Sequence, residues 1–360
     1  MSKILVLTNH SYMLYRFRLA LLQKLQQKHE VVLSMPFVGH DKDFREAGFR
    51  CIETEVDRRG MNPIRDLKLW RYYRNLLRQE RPDLVITYSV KPNIYGGLAC
   101  RMAGIPYITN VQGLGTAFQS KGLAAFVAGL YRLALKKARA VFFENQVNAQ
   151  IFTSMRIIPR RKVRVLSGAG VDLQMYSVAQ YPENKVPHFL YLGRLMREKG
   201  MDELFDAAYK LHAEGIPFVL DLVGFYEDSC KDQVEALCNC GIARFHGFQP
   251  DPRPFYQQAD CVVLPSYHEG MSNVLLEAAA MGRPLITSDI PGCREAVDDG
   301  VSGLLCRVKD AQDLYEKMKR MAQLSPAERQ AMGLAGRTKM EKNFDKGAVV
   351  ADTIRQMGNI

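Results

Sequence analysis

The sequence has no apolar run approaching the ~20 residues that a helix needs to cross a bilayer. Its opening, MSKILVLTNHSY, holds an apolar run too short for a secretory leader, and no cleavage-like site follows it. A first strand is expected there instead. No cysteine pair has the C-x2-C spacing of a structural zinc site. Cys230, Cys238 and Cys240 lie near His246 but read C-x7-C-x-C. Cys51, Cys100, Cys261, Cys293 and Cys306 fall in or beside apolar stretches, as reduced core residues do. The first strand is not followed by G-x-G-x-x-G, so the usual dinucleotide fingerprint is missing. There is no internal repeat and no low-complexity segment. These absences lead us to expect a globular, cytoplasmic protein without a structural metal.

What is present is 360 residues, 47% hydrophobic and 24% charged, which is ordinary for a globular chain of two domains. The charge is uneven. Residues 1–180 hold 28 Lys and Arg against 12 Asp and Glu, while residues 181–360 hold 21 against 26. A basic half beside an acidic half implies an anionic partner for the first half: nucleic acid, an anionic membrane face or a pyrophosphate-bearing acceptor. The stretch Gly122–Ala138, GLAAFVAGLYRLALKKA, is apolar almost all round and ends in cations. It reads either as a helix lying in a membrane interface or as a buried helix with its dipole matched.

Short apolar runs alternate with helical patterns along the chain, which predicts an α/β protein with parallel sheets. One such unit is Cys261–Leu264, a loop, a helix ending at Gly282, and a strand at Leu285–Thr287. Glu269 falls in that loop, at the C-terminal end of a parallel strand, where open α/β sheets bind ligands. The backbone N–H groups of Met271, Ser272 and Asn273 open the helix, a place that favours a phosphate. Glu277 follows in the helix. Carboxylates accept hydrogen bonds from hydroxyls, so a phosphate site flanked by two glutamates suits a nucleotide-sugar. Spacing alone leaves Glu269 as a helix cap and Glu277 as surface charge equally open.

The segment HEGMSNVLLEAAAMGRP, with Glu269 and Glu277, resembles the E-x7-E signature of retaining glycosyltransferases of family 4, which have the GT-B fold. SDIPGCREAVDDGVSGLL is similar to the segment that follows that signature, and Gly193–Gly200, G-R-x4-K-G, resembles the family's donor pyrophosphate site. The resemblance implies two Rossmann-like domains facing across a cleft. Residues 1–178 would bind the acceptor, 179–343 the nucleotide-sugar, and 344–360 would form a helix crossing back to the first domain. It implies that Arg194 and Lys199 neutralise the pyrophosphate, a planar fork and a point charge on one loop. Glu269 would hold the transferred sugar and Glu277 the ribose. Gly247 and Phe248 resemble the base-binding segment.

In the first half, Y-x-F-R with Tyr15 resembles the subgroup that extends lipid-linked oligosaccharides. Acceptor-side candidates are His10, Arg16, Arg18, Lys91, Gly113, Gly115 and Asn145. The histidine that family members often carry near the Gly113–Gly115 loop is absent. The expected function is transfer of a sugar, from UDP-N-acetylhexosamine or UDP-hexose, to a polyprenyl-diphosphate-linked glycan at the inner membrane face. No metal is required if Arg194 and Lys199 do the neutralising; Asp41-Lys42-Asp43 spells D-x-D but reads as surface charge. The alternatives are a UDP-sugar 2-epimerase of the same fold and a nucleic-acid-binding protein. The second lacks any recognisable recognition module, and no nucleic-acid partner is expected.

Overall fold

The computed structural model describes residues 1–56, 62–114, 118, 121–227 and 230–358. The chain divides into two compact units, Met1–Ala169 with Gly347–Ile360, and Gly170–Lys346. Each contains a parallel sheet whose strands are apolar on both faces, the pattern required when helices cover both sides.

In the first unit the strands are β1 (Lys3–Leu7), β2 (Glu30–Met35), β3 (Arg50–Glu53), β4 (Leu84–Tyr88), β5 (Tyr107–Val111), β6 (Ala140–Phe143) and β7 (Val163–Val165). Their order among the described residues is β3-β2-β1-β4-β5-β6-β7, all parallel. The helices are α1 (Ser11–Gln26), α2 (Asp41–Glu46), α3 (Pro63–Glu80), α4 (Gly97–Ala103), α5 (Lys121–Ala134) and α6 (Gln146–Ser154). One apolar cluster, with Leu22, Val6 and Phe142, lies on one face of the sheet; another, with Tyr73, Tyr131 and Phe152, lies on the other. The chain order reverses between β1 and β4, so the loops after these strands diverge and leave a crevice at their carboxyl ends.

The second unit repeats the plan with β8 (His188–Leu192), β9 (Val219–Val223), β10 (Ala243–Phe245), β11 (Cys261–Leu264), β12 (Leu285–Ser288) and β13 (Gly303–Cys306), in the order β10-β9-β8-β11-β12-β13. Its helices are α7 (Met201–Ala213), α8 (Lys231–Asn239), α9 (Arg253–Gln258), α10 (Asn273–Ala280), α11 (Ala311–Gln323) and α12 (Pro326–Asn343). The reversal here lies between β8 and β11. Tyr176 and Leu173 pack into this unit's core, and the division between the units falls between Ala169 and Gly170. The last helix, α13 (Lys346–Met357), packs Val350, Ile354 and Met357 on the cluster that holds Leu22 and Phe142.

Arg283 is the largest fully buried side chain of the protein. It follows the Gly282 turn that ends α10, and its guanidinium reaches three main-chain carbonyls: Nε donates to Tyr256 (2.7 Å), Nη2 to Gln180 (2.7 Å) and Gln257 (3.1 Å). Its plane lies against the Tyr181 ring, with Cζ 5.2 Å from the centroid. Burial pulls its pKa below the usual guanidinium value. The side chain thus ties the end of α9 to the segment entering the unit. Arg283→Ala strands these carbonyls and opens a cavity. We expect a loss of about 2–4 kcal/mol, read as a lower urea midpoint for the second unit.

Candidate functional site

Three loops of the second unit lock together at the carboxyl ends of its central strands. The first follows β8 and carries Gly193 to Gly200. The second follows β11 and carries Pro265 to Ser272. The two strands are neighbours at the reversal point of the sheet, so their loops emerge side by side. Gly200 has φ +72°, and a Cβ there would lie 2.1 Å from the Pro265 carbonyl oxygen, so only glycine permits this approach. The Tyr267 amide donates to the Glu198 carbonyl (2.9 Å), and the Tyr267 hydroxyl lies 2.7 Å from the Glu203 carboxylate. With backbone packed on backbone, Lys199 reaches Glu269 and forms an ion pair with Oε1; both side chains are about 15% exposed. Ser266 Oγ donates to the same carboxylate oxygen (2.9 Å).

The third loop follows β12. Gly292, with φ +88°, backs onto Glu269 and Gly270, and a Cβ there would lie 2.4 Å from the Gly270 carbonyl oxygen. The Gly292 carbonyl accepts the Ser272 amide (2.9 Å). This corrects the expectation for Ser272: its N–H holds two loops together and is not left for a ligand. Ser272 is the N-cap of α10, and its hydroxyl makes no capping bond. The anion-favouring end of the helix therefore begins at Asn273, two residues after Met271, where it was expected to start. Glu277 is buried, 5% exposed, and accepts from the Tyr256 hydroxyl (3.0 Å).

Arg194 forms an ion pair with Glu227 on the loop after β9. Its carbonyl accepts from the Tyr191 hydroxyl (2.6 Å). Burial, reinforced by the charge of Glu269, pushes that phenol well above its ordinary pKa, so it stays protonated and donates. The loops after β9 and β10 join the assembly through Gly224 N–H to the Gly247 carbonyl (2.9 Å) and Leu195 N–H to the Phe225 carbonyl (2.9 Å). Phe248 and Phe225 are half-exposed and meet edge to face at 6.3 Å. Just before Gly247, His246 contacts Asp221 on β9 at 2.7 Å, and His188 lies 3.2 Å from the same carboxylate. Burial opposes the charge of Asp221, but hydrogen bonds to the two histidines outweigh it and hold the carboxyl below its usual range.

The first-unit candidates are more scattered. His10 is the N-cap of α1, its Nδ1 accepting from the Met13 amide (3.4 Å), and Arg16 donates to the Tyr12 hydroxyl (2.9 Å). Arg18 is buried, paired with Glu144 and donating to the Gly168 carbonyl (3.2 Å). It braces the interior of the unit. Asn145 is also buried; its Oδ1 accepts the Asn148 amide (2.9 Å), which makes it the N-cap of α6. Lys91 pairs with Asp66 of α3 at 2.9 Å. Gly113 follows β5 and is half-buried. Gly115 lies outside the described residues. Among the described residues no group of three or more metal-ligating side chains occurs.

Reasoning from motifs missed four participants. Ser266 stands three residues before Glu269 and could have been marked by its place in the same loop. Glu227 and Tyr256 come from the loop after β9 and from α9 and carry no spacing signal; Gly292 lies in the segment similar to the one after the signature but was not singled out.

The description "Glycosyl transferases group 1" matches residues 186–323, and "Glycosyl transferase 4-like" matches residues 3–145. A Campylobacter jejuni protein named N,N'-diacetylbacillosaminyl-diphospho-undecaprenol alpha-1,3-N-acetylgalactosaminyltransferase is 30% identical over 324 residues, 85% of each chain. An Escherichia coli protein named UDP-Gal:alpha-D-GlcNAc-diphosphoundecaprenol alpha-1,3-galactosyltransferase is 27% identical over 78% of this chain and 76% of its own. The crystal structure of Anabaena HepE in complex with UDP superposes with a TM-score of 0.80 at 18% identity, covering 99% of this chain and all of that one.

Gly292→Ala should push the Glu269 loop away and break the Ser272–Gly292 bond. Hydrogen exchange across residues 269–273 is expected to accelerate at least tenfold, with the sheet amides of β11 unchanged. Equal exchange in variant and parent would show that the third loop does not hold the second.

Proposed function

The chain belongs to the glycosyltransferase family marked by group 1 and 4-like domains, and we propose that it is a retaining enzyme that extends a lipid-linked glycan. The donor is a UDP-sugar, UDP-N-acetylhexosamine or UDP-hexose, and the acceptor is a polyprenyl-diphosphate-linked saccharide of surface-polysaccharide biosynthesis. The observation that carries this reading is the Lys199–Glu269 contact at the open end of α10, with Arg194 on the same loop as Lys199. Cations and helix amides suit a diphosphate; carboxylates suit hydroxyls. Relatives named for diphospho-undecaprenol acceptors and a UDP-bound structure of the same fold support the choice of substrates.

In this mechanism Arg194 and Lys199 bind the donor diphosphate, assisted by the amides opening α10 at Asn273. They stabilise the negative charge that grows as the sugar–phosphate bond breaks. Glu277, held by Tyr256, binds the ribose hydroxyls; Glu269 binds hydroxyls of the transferred sugar; the Gly247–Phe248 segment meets the base. The acceptor hydroxyl attacks the anomeric carbon from the face the phosphate leaves. A bond forms between acceptor oxygen and anomeric carbon, the bond to phosphate breaks, and the acceptor proton passes to the departing phosphate oxygen. Charge neutralisation is assigned to the two side chains and not to a metal ion.

We place attachment to the inner membrane face on the first unit. Residues 121–170 contain ten Lys and Arg and one acidic residue, Glu144, which Arg18 neutralises. Phe126 and Leu133 stand exposed on α5, and Met102 on α4. Arg101 donates to the Leu133 carbonyl (2.8 Å), and Lys162 to that of Lys136 (2.7 Å), so cations and apolar residues share one surface. Such a face suits an anionic interface.

UDP and UDP-sugars at 100 times their Kd should stabilise the protein by about 2.7 kcal/mol, a shift of several degrees. GDP and ADP compounds should do less, and Glu277→Ala should lose the effect. No stabilisation of the parent by any nucleotide would refute the donor assignment. In flotation assays the protein should bind phosphatidylglycerol vesicles and not phosphatidylcholine vesicles. Lys136→Glu with Lys137→Glu should reduce binding severalfold, and unchanged binding would remove this surface from the proposal.

A further inference from the structure

At the carboxyl ends of β1 and β2, four half-exposed rings run in a chain. Tyr15 and the imidazole of His40 are stacked, centroids 4.4 Å apart and planes 1° from parallel. His40 meets Tyr12 at 5.4 Å and 40°, and Tyr12 meets His10 at 6.1 Å, edge to face. Arg16 donates to the Tyr12 hydroxyl (2.9 Å) and so joins the rim of the array. Its base is rigid: Tyr15 packs edge-on against Phe44, which is fully buried.

The sequence carries the array at a conformational cost. His40 has φ +61°, the left-handed region that a non-glycine residue adopts rarely, and its side chain pairs with Asp43 one turn on. The Val38 amide donates to Ser11 Oγ (3.3 Å), which pins the loop carrying His40 to the start of α1. Strain held in place at the ligand-binding edge of a parallel sheet points to use. A third of the His40 side chain remains exposed, so the stack is not completed by the protein itself.

We infer that His40, Tyr12 and Tyr15 form a platform for a pyranose ring of the acceptor glycan, with Arg16 and His10 at its rim. This rests on the reading of the acceptor as a lipid-linked saccharide and names the part of it that the first unit holds. A pyranose has a flat face of C–H bonds and an equatorial belt of hydroxyls. Aromatic faces pack on the first, and guanidinium, phenol and imidazole groups bond the second. Arg16, His10 and the phenols supply polar groups for a hydroxyl belt, which a polyprenyl tail does not have.

The test uses saturation-transfer NMR on the full chain with octyl glycosides of N-acetylglucosamine and N-acetylgalactosamine, in both anomers, in the presence of UDP. Irradiating aromatic protons should transfer saturation to the sugar C–H protons of at least one glycoside more than to its octyl chain. His40→Asn removes the ring, while asparagine tolerates the left-handed backbone; Tyr12→Leu removes the second ring. Each should weaken the glycoside at least fivefold, with Tyr12→Phe, which keeps the ring, losing less than Tyr12→Leu. Stabilisation by UDP should stay unchanged in all three, which separates this site from the donor site. The inference falls if no glycoside shows transfer in the parent, if His40→Asn and Tyr12→Leu bind as the parent does, or if inorganic pyrophosphate displaces the glycoside completely. Failure of UDP to stabilise even the parent would instead strike the donor reading, while the glycoside signal still reads the platform.

Discussion

Contact between the loops after β8 and β11 is the constraint on which the second unit's chemistry depends. Lys199 and Glu269 are 70 residues apart in sequence, and nothing local brings them together. The sheet does, because its central strands are neighbours and both point their carboxyl ends the same way. Gly200 then lets one main chain rest on the other, and Gly292 presses the second loop from behind. A side chain at either position would separate the groups by more than a hydrogen bond can span. The placement of these two side chains is set by backbone packing first and by side-chain chemistry second.

Much of this was legible in the sequence, and the reasons are physical. Continuous apolar runs such as Val262-Val263-Leu264 are what a strand covered on both faces must look like, so the α/β class and the parallel arrangement could be read directly. Arg194, Lys199 and Glu269 stand on loops that resemble motifs of a glycosyltransferase family, and the chain belongs to such a family. Partners supplied by another strand could not be read. Glu227 is an unremarked acid in its own loop and becomes informative only beside Arg194. Arg18 and Asn145 show the opposite failure. Arg18 lies within α1 and Asn145 just past the end of β6, where ligands of parallel sheets bind, yet one neutralises Glu144 and the other caps α6. A polar residue at a strand end has two uses, and local sequence does not distinguish them.

Buried charge recurs through the protein with a common logic. Arg283 donates to carbonyls, Arg18 to a carboxylate and a carbonyl, and Arg329 to the Leu324 carbonyl (2.7 Å) with Asp260 at 3.4 Å. In each case the guanidinium joins segments far apart in sequence. Such groups contribute little net stability beside an apolar core of equal volume. They do penalise any arrangement in which the same segments pack out of register, since a stranded guanidinium is costly.

In the proposed donor site each cation has a carboxylate partner: Arg194 has Glu227, and Lys199 has Glu269. The resting site is therefore close to electrically neutral and offers little attraction to a simple anion. Inorganic phosphate could replace the carboxylates as a partner for the cations, but it would leave its own negative charge beside Glu227 and Glu269. A molecule that brings negative oxygens and hydroxyls together can satisfy both sides of each broken pair. On this reading, self-pairing of the cations lowers the site's attraction for small anions.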